Sequence, residues 1–183
     1  YTGSSSAGRH ITGLGFQPAV VIVKAEGNDS AVIRTDTMPT TRSRHLVGTW
    51  GLYSNRITAL TEDGFILGND TDVNAGGITY HYIAFASDPG YLVTGTYTGD
   101  GQPQQSITGL GLEPGMVLLI PHDSPPCRIR TATMAPFESI GLGTDDPVGG
   151  VIVGLDADGF QVGGSNDANR SGDLYSYVAF AAE

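Results

Sequence analysis

Residues 11–15 read Ile-Thr-Gly-Leu-Gly, and residues 107–111 repeat them without a change, 96 positions further along the chain. Other matches follow at an offset of 96 or 95: Ile33-Arg34-Thr35 with Ile129-Arg130-Thr131, Asp63-Gly64-Phe65 with Asp158-Gly159-Phe160, and residues 82–85 with residues 177–180. One single-residue length change therefore aligns two complete copies. The sequence predicts an internal duplication, with one domain over residues 1–89 and a second over residues 90–183.

Both copies have the composition of a turn-rich β protein. Short runs of Val, Ile, Thr and Tyr alternate with clusters of Gly, Asn, Asp and Pro, and the chain contains 27 Gly and 10 Pro. No window keeps a 3.6-residue apolar period, and the runs are spaced as sandwich strands are. We therefore predict an all-β chain of two tandem antiparallel β-sandwich domains.

Two local patterns refine this prediction. Residues 79–85 carry apolar side chains at alternate and at intervening positions, which is typical of a strand covered on both faces. Asp63-Gly64 and Asp158-Gly159 are typical of tight turns in which the Asp side chain bonds its own backbone. We expect the Phe that follows each turn, Phe65 or Phe160, to point into the core.

A family resemblance rests on three short motifs in each copy. They are Phe16-Gln17-Pro18-x-Val20, Asp63-Gly64-Phe65 and Tyr82-Ile83-Ala84-Phe85, then Leu112-Glu113-Pro114-x-Met116, Asp158-Gly159-Phe160 and Tyr177-Val178-Ala179-Phe180. This order resembles H-type lectin domains and related β-sandwich repeats of phage tail fibres and secreted bacterial proteins. The lectins usually carry Trp where Tyr82 and Tyr177 stand. The resemblance implies a six-stranded sandwich that often trimerises, in a virion fibre or secreted protein, with carbohydrate binding in some members.

Composition and charge exclude several classes of function. A net charge of −10 argues against nucleic-acid binding, which needs a basic surface. The longest apolar stretches are far too short to span a bilayer. The sequence does not begin with Met, so we expect a processed or trimmed chain. Removal of a targeting segment is one such form of processing, and it stays an open alternative.

The two halves differ in charge. Residues 1–90 contain six basic and eight acidic side chains, whereas residues 91–183 contain three and eleven. Arg42, Arg44 and Arg56 lie in one stretch of the first half, so we expect head-to-tail attraction between molecules.

Candidate catalytic groups are scattered. None of the four histidines recurs in the other copy: His10, His45, His81 and His122. Ala31 holds the place that matches Cys127, which indicates a packed small side chain rather than a reactive thiol. We predict a protein that is not an enzyme and has no cofactor.

One loop has the ligand spacing of a calcium site. Asp70, Asp72 and Asn74 place oxygen atoms at alternate positions, although Ala75 stands where an EF-hand loop needs Gly. The alternative interpretation is a surface turn rich in Asp and Asn.

Two groups of side chains are candidates for ligand binding. Arg34 and Arg130 would suit carboxylates or sugar hydroxyls, and their alternative role is to hold a loop or an interface. Four tyrosines could stack on sugars or instead fill the core: Tyr80, Tyr82, Tyr175 and Tyr177. Asn28, Asn69 and Asn169 begin N-glycosylation acceptor patterns, which are short enough to arise by chance.

The first copy has no counterpart of residues 91–96, an alternating run that reads as the first strand of the second copy. We expect the gap beside Tyr1, Thr2 and Gly3 to be closed by a neighbouring subunit or to form an assembly surface. A sheet that is simply shorter is the alternative. The sequence thus favours a self-associating structural subunit, extracellular, at the cell surface or in a virion. The alternative is a carbohydrate-binding module whose partners are surface glycans.

Overall fold

Every strand pairing among the described residues is antiparallel. The computed structural model describes residues 1–27, 30–143 and 146–183. Strands account for 47% of the chain and helices for 4%, which confirms the predicted all-β class.

The described residues form two compact units. The first comprises Tyr1–Leu46 and Leu52–Ser87, and the second comprises Val47–Gly51 and Asp88–Glu183. The elements of the first unit are β1 (Arg9–Thr12), β2 (Val20–Ala25), β3 (Val32–Thr35), β4 (Arg44–His45), β5 (Ile57–Thr61), β6 (Gly64–Leu67), the one-turn helix α1 (Thr71–Asn74) and β7 (Tyr80–Phe85). Its two sheets have the strand orders β4-β3-β2-β7 and β1-β6-β5.

The second unit has a longer main sheet. Its elements are β8 (Leu92–Thr98), β9 (Gln104–Thr108), β10 (Pro114–Pro121), β11 (Arg128–Thr131), β12 (Glu138–Gly141), β13 (Val148–Gly149), β14 (Ile152–Asp156), β15 (Gly159–Gly163), the one-turn helix α2 (Asn166–Asn169) and β16 (Leu174–Ala181). The strand orders are β13-β12-β11-β10-β16-β8 and β14-β15-β9.

Each unit buries apolar side chains from both of its sheets in one core. In the first unit Val21 and Val23 of β2 pack in the same cluster as Ile57 of β5 and Phe65 of β6. In the second unit a corresponding cluster takes side chains from β10 and β16 on one side and from β9, β14 and β15 on the other. Two sheets that share one core give each unit the character of a β-sandwich.

The repeated Ile-Thr-Gly-Leu-Gly motif is held by a distant aspartate. Gly13 and Gly15 adopt φ values of 94° and 75°, a left-handed conformation that favours glycine. Both of their backbone N–H groups donate to the carboxylate of Asp63, at 2.9 and 2.7 Å. In the second unit Asp158 accepts the N–H groups of Gly109 and Gly111 at 3.1 and 2.7 Å.

These contacts correct the interpretation of the Asp-Gly pairs. The Asp63 and Asp158 carboxylates bond the glycine motif of a preceding segment rather than their own turns. Gly64 is needed for close approach, because a Cβ there would lie 1.9 Å from the carbonyl oxygen of Ile11. Gly159 would meet Ile107 in the same way, at 2.0 Å.

The strand that closes each main sheet differs between the units. β16 lies between β10 and β8, and its residues 175–179 are buried. β7 has β2 on one side only, and His81, Tyr82 and Ile83 are exposed. The prediction is therefore wrong for the middle of β7, because burial of an apolar strand depends on a neighbour that its own sequence does not contain.

Candidate functional site

The candidate site is the outer edge of β7. Tyr1 begins to cover this edge: its ammonium donates to the carbonyl of Tyr80 at 2.9 Å, and the N–H of Tyr80 donates back to Tyr1 at 2.7 Å. Thr2 bridges Thr79, and Gly3 donates to the carbonyl of Ile78 at 2.7 Å. The three residues predicted to lie at an assembly surface thus pair with the start of β7 and with the residues just before it.

Side-chain contacts fix Tyr1 in this position. Its ring stacks on that of Tyr80, with centroids 5.1 Å apart, and its hydroxyl donates to the carbonyl of Val73 at 2.6 Å. Burial raises the pKa of the Tyr1 hydroxyl, so this group stays protonated and remains a donor. Tyr97 does the same in the second unit, where it stacks on Tyr175 at 5.0 Å and donates to Ala168 at 2.6 Å.

Among the described residues, β2 is the one named strand that pairs with Tyr82 and Ile83 of β7. Ile83 is 57% exposed, whereas Val178 at the matching place in β16 is 1% exposed. Tyr82 is 37% exposed and Tyr177 is 9% exposed. β16 also has a second neighbouring strand, since β8 pairs with it from Phe180↔Leu92 to Leu174↔Thr98. The edge of β7 therefore offers backbone donors and acceptors beside exposed apolar side chains.

The four candidate tyrosines do not form one ligand site. Tyr80 and Tyr175 are fully buried, and their hydroxyls donate to the carbonyls of Thr71 and Asn166, at 2.5 and 3.2 Å. Tyr177 packs edge-on against Phe160 in the core. Of the four, Tyr82 alone is exposed.

Arg34 and Arg130 hold loops of their own units. Both are buried, and Arg34 Nη1 donates to the carbonyl of Pro39 at 3.2 Å and to that of Arg42. Arg130 Nη1 donates to Ala135 at 3.0 Å and to Glu138. Burial lowers the pKa of both guanidinium groups. Of the two roles considered for these arginines, this geometry matches the second, holding a loop, because both guanidinium groups bond loop carbonyls.

The three residues of the predicted calcium loop have other partners. Asp70 caps α1 by accepting the N–H of Asp72 at 2.9 Å, and Asp72 pairs with Arg56 Nη2 at 2.8 Å. The amide of Asn74 is buried and bonds Ser4. Among the described residues, no group of three or more His, Cys, Asp or Glu side chains could hold a metal. The alternate spacing here builds a capped helical turn, and both carboxylates lie against the Arg56 guanidinium, Asp70 at 3.5 Å and Asp72 at 2.8 Å.

The three arginines predicted to attract another molecule are not equally available. Arg44 is fully buried, and Arg56 is buried between Asp72 and the ring of Tyr53, whose centroid lies 4.7 Å away. Arg42 is exposed. Two of the three are therefore buried, which corrects the expectation that they form a basic surface.

The glycosylation patterns also differ in their surroundings. Asn169 is buried, and its Nδ2 donates to Asp100 Oδ1 at 2.9 Å and to the Gln102 carbonyl at 3.0 Å, which leaves no access for a glycan. Asn69 is exposed. Asn28 lies outside the described residues. Cys127 is buried, in the place expected of a packed side chain.

Sequence reasoning missed two roles that the structure assigns. Asp63 and Asp158 join distant segments, and Asn74 and Asn169 fasten the segments before β1 and β9. The signal was present in the repeat, since all four residues recur at matched positions. Their partners lie 47 to 70 positions away, so spacing alone did not reveal them.

Comparison with known proteins found no match to the chain among protein-family models, curated proteins or solved structures. The resemblance to H-type lectins and tail-fibre repeats therefore stays a prediction. Among the described residues, no helix has the length and apolar character that a membrane crossing requires.

Proposed function

We propose that this protein is a non-enzymatic structural subunit of an extracellular, cell-surface or virion assembly, and that it self-associates through the edges of its β-sandwiches. The observation that carries the proposal is the exposure of Ile83 and Tyr82 on β7, the strand at one end of its sheet among the described residues. Proteins usually shield such edges because unpaired strands recruit other chains. A sheet edge with exposed apolar side chains favours association with another chain, because that contact buries the apolar surface.

The charge on this edge supports the same function. Edge strands that avoid association usually carry inward-pointing charge, Lys or Pro. The middle of β7 reads Tyr82-Ile83-Ala84, and the side chain of the preceding His81 contacts Glu26 at 3.0 Å. These three residues carry no charge, so this segment lacks the charged side chain that usually opposes strand addition.

We also propose that the two units descend from one duplicated β-sandwich. The support is that matched residues of the two copies make equivalent contacts. Asp63 and Asp158 each accept hydrogen bonds from two glycines, and Arg34 and Arg130 each donate to carbonyl groups of a loop. Tyr1 and Tyr97 each stack on another tyrosine ring. The resemblance to tail-fibre and secreted repeats is the basis for placing the assembly outside the cell or in a virion.

A carbohydrate-binding module is the alternative function. Tyr82 is the one candidate tyrosine with an exposed ring, and Arg34 and Arg130 are turned into loops. Among the candidate ligand residues this leaves one exposed ring and no free guanidinium, so the alternative ranks second. A glycan array that stays blank with and without added calcium would exclude it.

Light scattering over a range of protein concentrations, with negative-stain microscopy of the same samples, tests the structural proposal. We expect a population of oligomers or filaments that grows with concentration. Ile83→Lys should shift the protein toward monomer, because a charge at an edge strand opposes strand addition. The matched control is Leu174→Lys, which places the same charge at an exposed apolar position of β16. A protein that remains monomeric throughout would contradict the proposal.

A further inference from the structure

We propose that copies of this protein associate head to tail, with Arg42 in the first unit of one molecule seated against Phe137 and Glu138 in the second unit of the next. The inference rests on the proposed function and deepens it, because it names a second contact of the assembly and the chemistry of its partner. The contact uses the turn between β3 and β4 and the turn between β11 and β12, away from β7 and β8 in the strand order of each main sheet.

The two turns have the same backbone. Thr41 and Phe137 occupy matched positions, 96 apart, and both adopt left-handed φ values, 63° and 65°. The carbonyl of the next residue, Arg42 or Glu138, accepts a hydrogen bond from a buried arginine of the same unit. The N–H of that residue donates to the carbonyl three positions earlier, at 3.0 and 3.2 Å. The fold therefore holds one kind of turn in both units and presents different side chains on it.

Phe137 is the unexpected residue of the second turn. A bulky side chain rarely adopts a left-handed backbone conformation, and strained positions of this kind cluster at functional sites. Phe137 is 64% exposed, so packing inside its own unit does not explain the conformation. Its carbonyl accepts the N–H of Gly150 at 3.1 Å, which fixes the backbone of the turn. The ring is thus held in place and available to a partner.

The residues after Thr41 and Phe137 carry opposite charges, because Arg42 stands where the second unit has Glu138. Arg42 is exposed, and its Nη1 makes one long hydrogen bond, 3.4 Å to the carbonyl of Leu52. Glu138 is partly exposed. Burial lowers the pKa of Arg130, and the charge of the nearby Glu138 carboxylate opposes that shift. The Arg130 guanidinium bonds two carbonyl groups, which leaves the carboxylate as an acceptor for another cation.

An exposed arginine matches the chemistry of the second turn. A guanidinium can stack on an aromatic ring and also bond a carboxylate through its N–H groups. Phe137 and Glu138 are adjacent and offer both partners. Exposed apolar side chains lie on the segments that pair with the end of each turn, Tyr53 in the first unit and Val148 in the second. Such a rim shields a central charged contact from water.

The same charges select unlike turns as partners. A symmetric contact between two copies of the second turn would bring Glu138 against Glu138, and one between two copies of the first turn would bring Arg42 against Arg42. Like charges placed together oppose association. A contact between unlike surfaces leaves one turn free on each outer molecule, so it continues into a ring or a filament.

The test measures self-association of the full chain by light scattering, in protein carrying Ile83→Lys to suppress contact through β7. Arg42→Glu and Glu138→Arg each place like charges across the turn contact, so each should weaken the association constant by about tenfold or more. Glu113→Arg is the matched control, because it changes net charge as Glu138→Arg does at an exposed position outside the turn. If the two turn variants associate as the control does, the inference is overturned.

An equimolar mixture of the two turn variants separates a contact between molecules from damage to the fold. Arg42 is intact in the Glu138→Arg protein, and Glu138 is intact in the Arg42→Glu protein. The mixture should therefore recover at least one-to-one complexes, although each variant alone is monomeric at the same concentration. A mixture that stays monomeric would overturn the inference.

The role of the ring has its own test. Phe137→Asn removes the ring and suits a left-handed backbone, which asparagine adopts readily. The association constant should fall about tenfold, whereas the urea midpoint should stay the same or rise. A merely structural ring would show the reverse. Tyr91→Asn removes an exposed ring outside the turn and should leave association unchanged. Unchanged association of the Phe137→Asn protein would contradict the inference.

Three outcomes separate this inference from the proposed function. If the unsubstituted protein assembles but the Ile83→Lys protein is monomeric at every concentration, the structural function holds and the turn contact is overturned. If Ile83→Lys has no effect and Arg42→Glu abolishes assembly, the turn contact holds and association through β7 is excluded. A protein that is monomeric in every form contradicts both.

Discussion

The carboxylate of Asp63 accepts the backbone N–H of Gly15 at 2.7 Å, across 48 positions of sequence. The second oxygen accepts Gly13 at 2.9 Å, so one side chain fixes two left-handed glycines. These backbone hydrogen bonds, that of Gly15 first, lower the pKa of Asp63. Because this pKa is lowered in the folded protein, the contribution of the Asp63 carboxylate to stability depends on pH.

Asp63→Asn should lower the free energy of unfolding at neutral pH, because the amide has one acceptor oxygen where the carboxylate has two. The pKa of Asp63 is lower in the folded than in the unfolded state. Its contribution is therefore complete above the ordinary Asp pKa of about 3.9 and is lost as pH falls through the folded value. Urea unfolding from pH 7 to pH 3 should show the two proteins converging in acid. Glu62→Gln, at the exposed neighbour, is the control. A difference that does not vary with pH would contradict the charge-dependent account.

Gly95→Ala should destabilise the second unit by about 1–3 kcal/mol, the usual range for overpacking. The new Cβ would meet the Tyr177 ring at 2.2 Å, and that ring is held in the core by Phe160. The control is Gly154→Ala, also in a strand, where the nearest atom to a new Cβ belongs to the Gln161 side chain at 3.7 Å. Chemical unfolding of both variants gives the comparison. Equal losses would show that Tyr177 does not restrict Gly95.

The strands were predictable because they depend on local pattern. Runs such as residues 19–24 and 79–85 have β-branched and aromatic side chains between turn residues, and they became β2 and β7. The all-β class follows from such runs. The exposure of Ile83 did not, because the same apolar pattern is buried in β16, so the pattern alone does not separate the two surroundings. Whether a strand lies at an edge is a property of the sheet.

The contacts of charged side chains were the least predictable part of the site. Asp70 and Asp72 have the spacing of calcium ligands, and the sequence pattern does not reveal that Arg56 and His45 fold against Asp72, at 2.8 and 2.7 Å. Arg34 illustrates the same limit, since its partners are carbonyl groups, which every residue type provides. Side-chain identity constrains the chemistry, whereas the tertiary fold selects the partner.

Asn74→Ala should destabilise the first unit. Its buried amide accepts the N–H of Ser4 and donates to the carbonyls of Ser6 and Gly68, each at 2.8 Å. A buried polar group left without a partner costs about 1–3 kcal/mol. Asn69→Ala changes the same residue type at an exposed position and should alter the free energy of unfolding little. Amide exchange at Ser4 should accelerate in the first variant alone. Unchanged protection there would contradict a fastening role for Asn74.

Arg34→Met should loosen the segment between β3 and β4. The guanidinium donates to the carbonyls of Pro39 and Arg42, and a Met of similar volume keeps the packing but leaves both carbonyls without that donor. We expect a lower free energy of unfolding, together with faster trypsin cleavage after Arg42 under native conditions. Arg42→Met is the matched control for stability, because Arg42 is exposed and its Nη1 makes one long hydrogen bond, 3.4 Å to the Leu52 carbonyl. If Arg34→Met kept both stability and resistance to trypsin but abolished binding on a glycan array, the guanidinium would be a ligand group rather than a loop anchor.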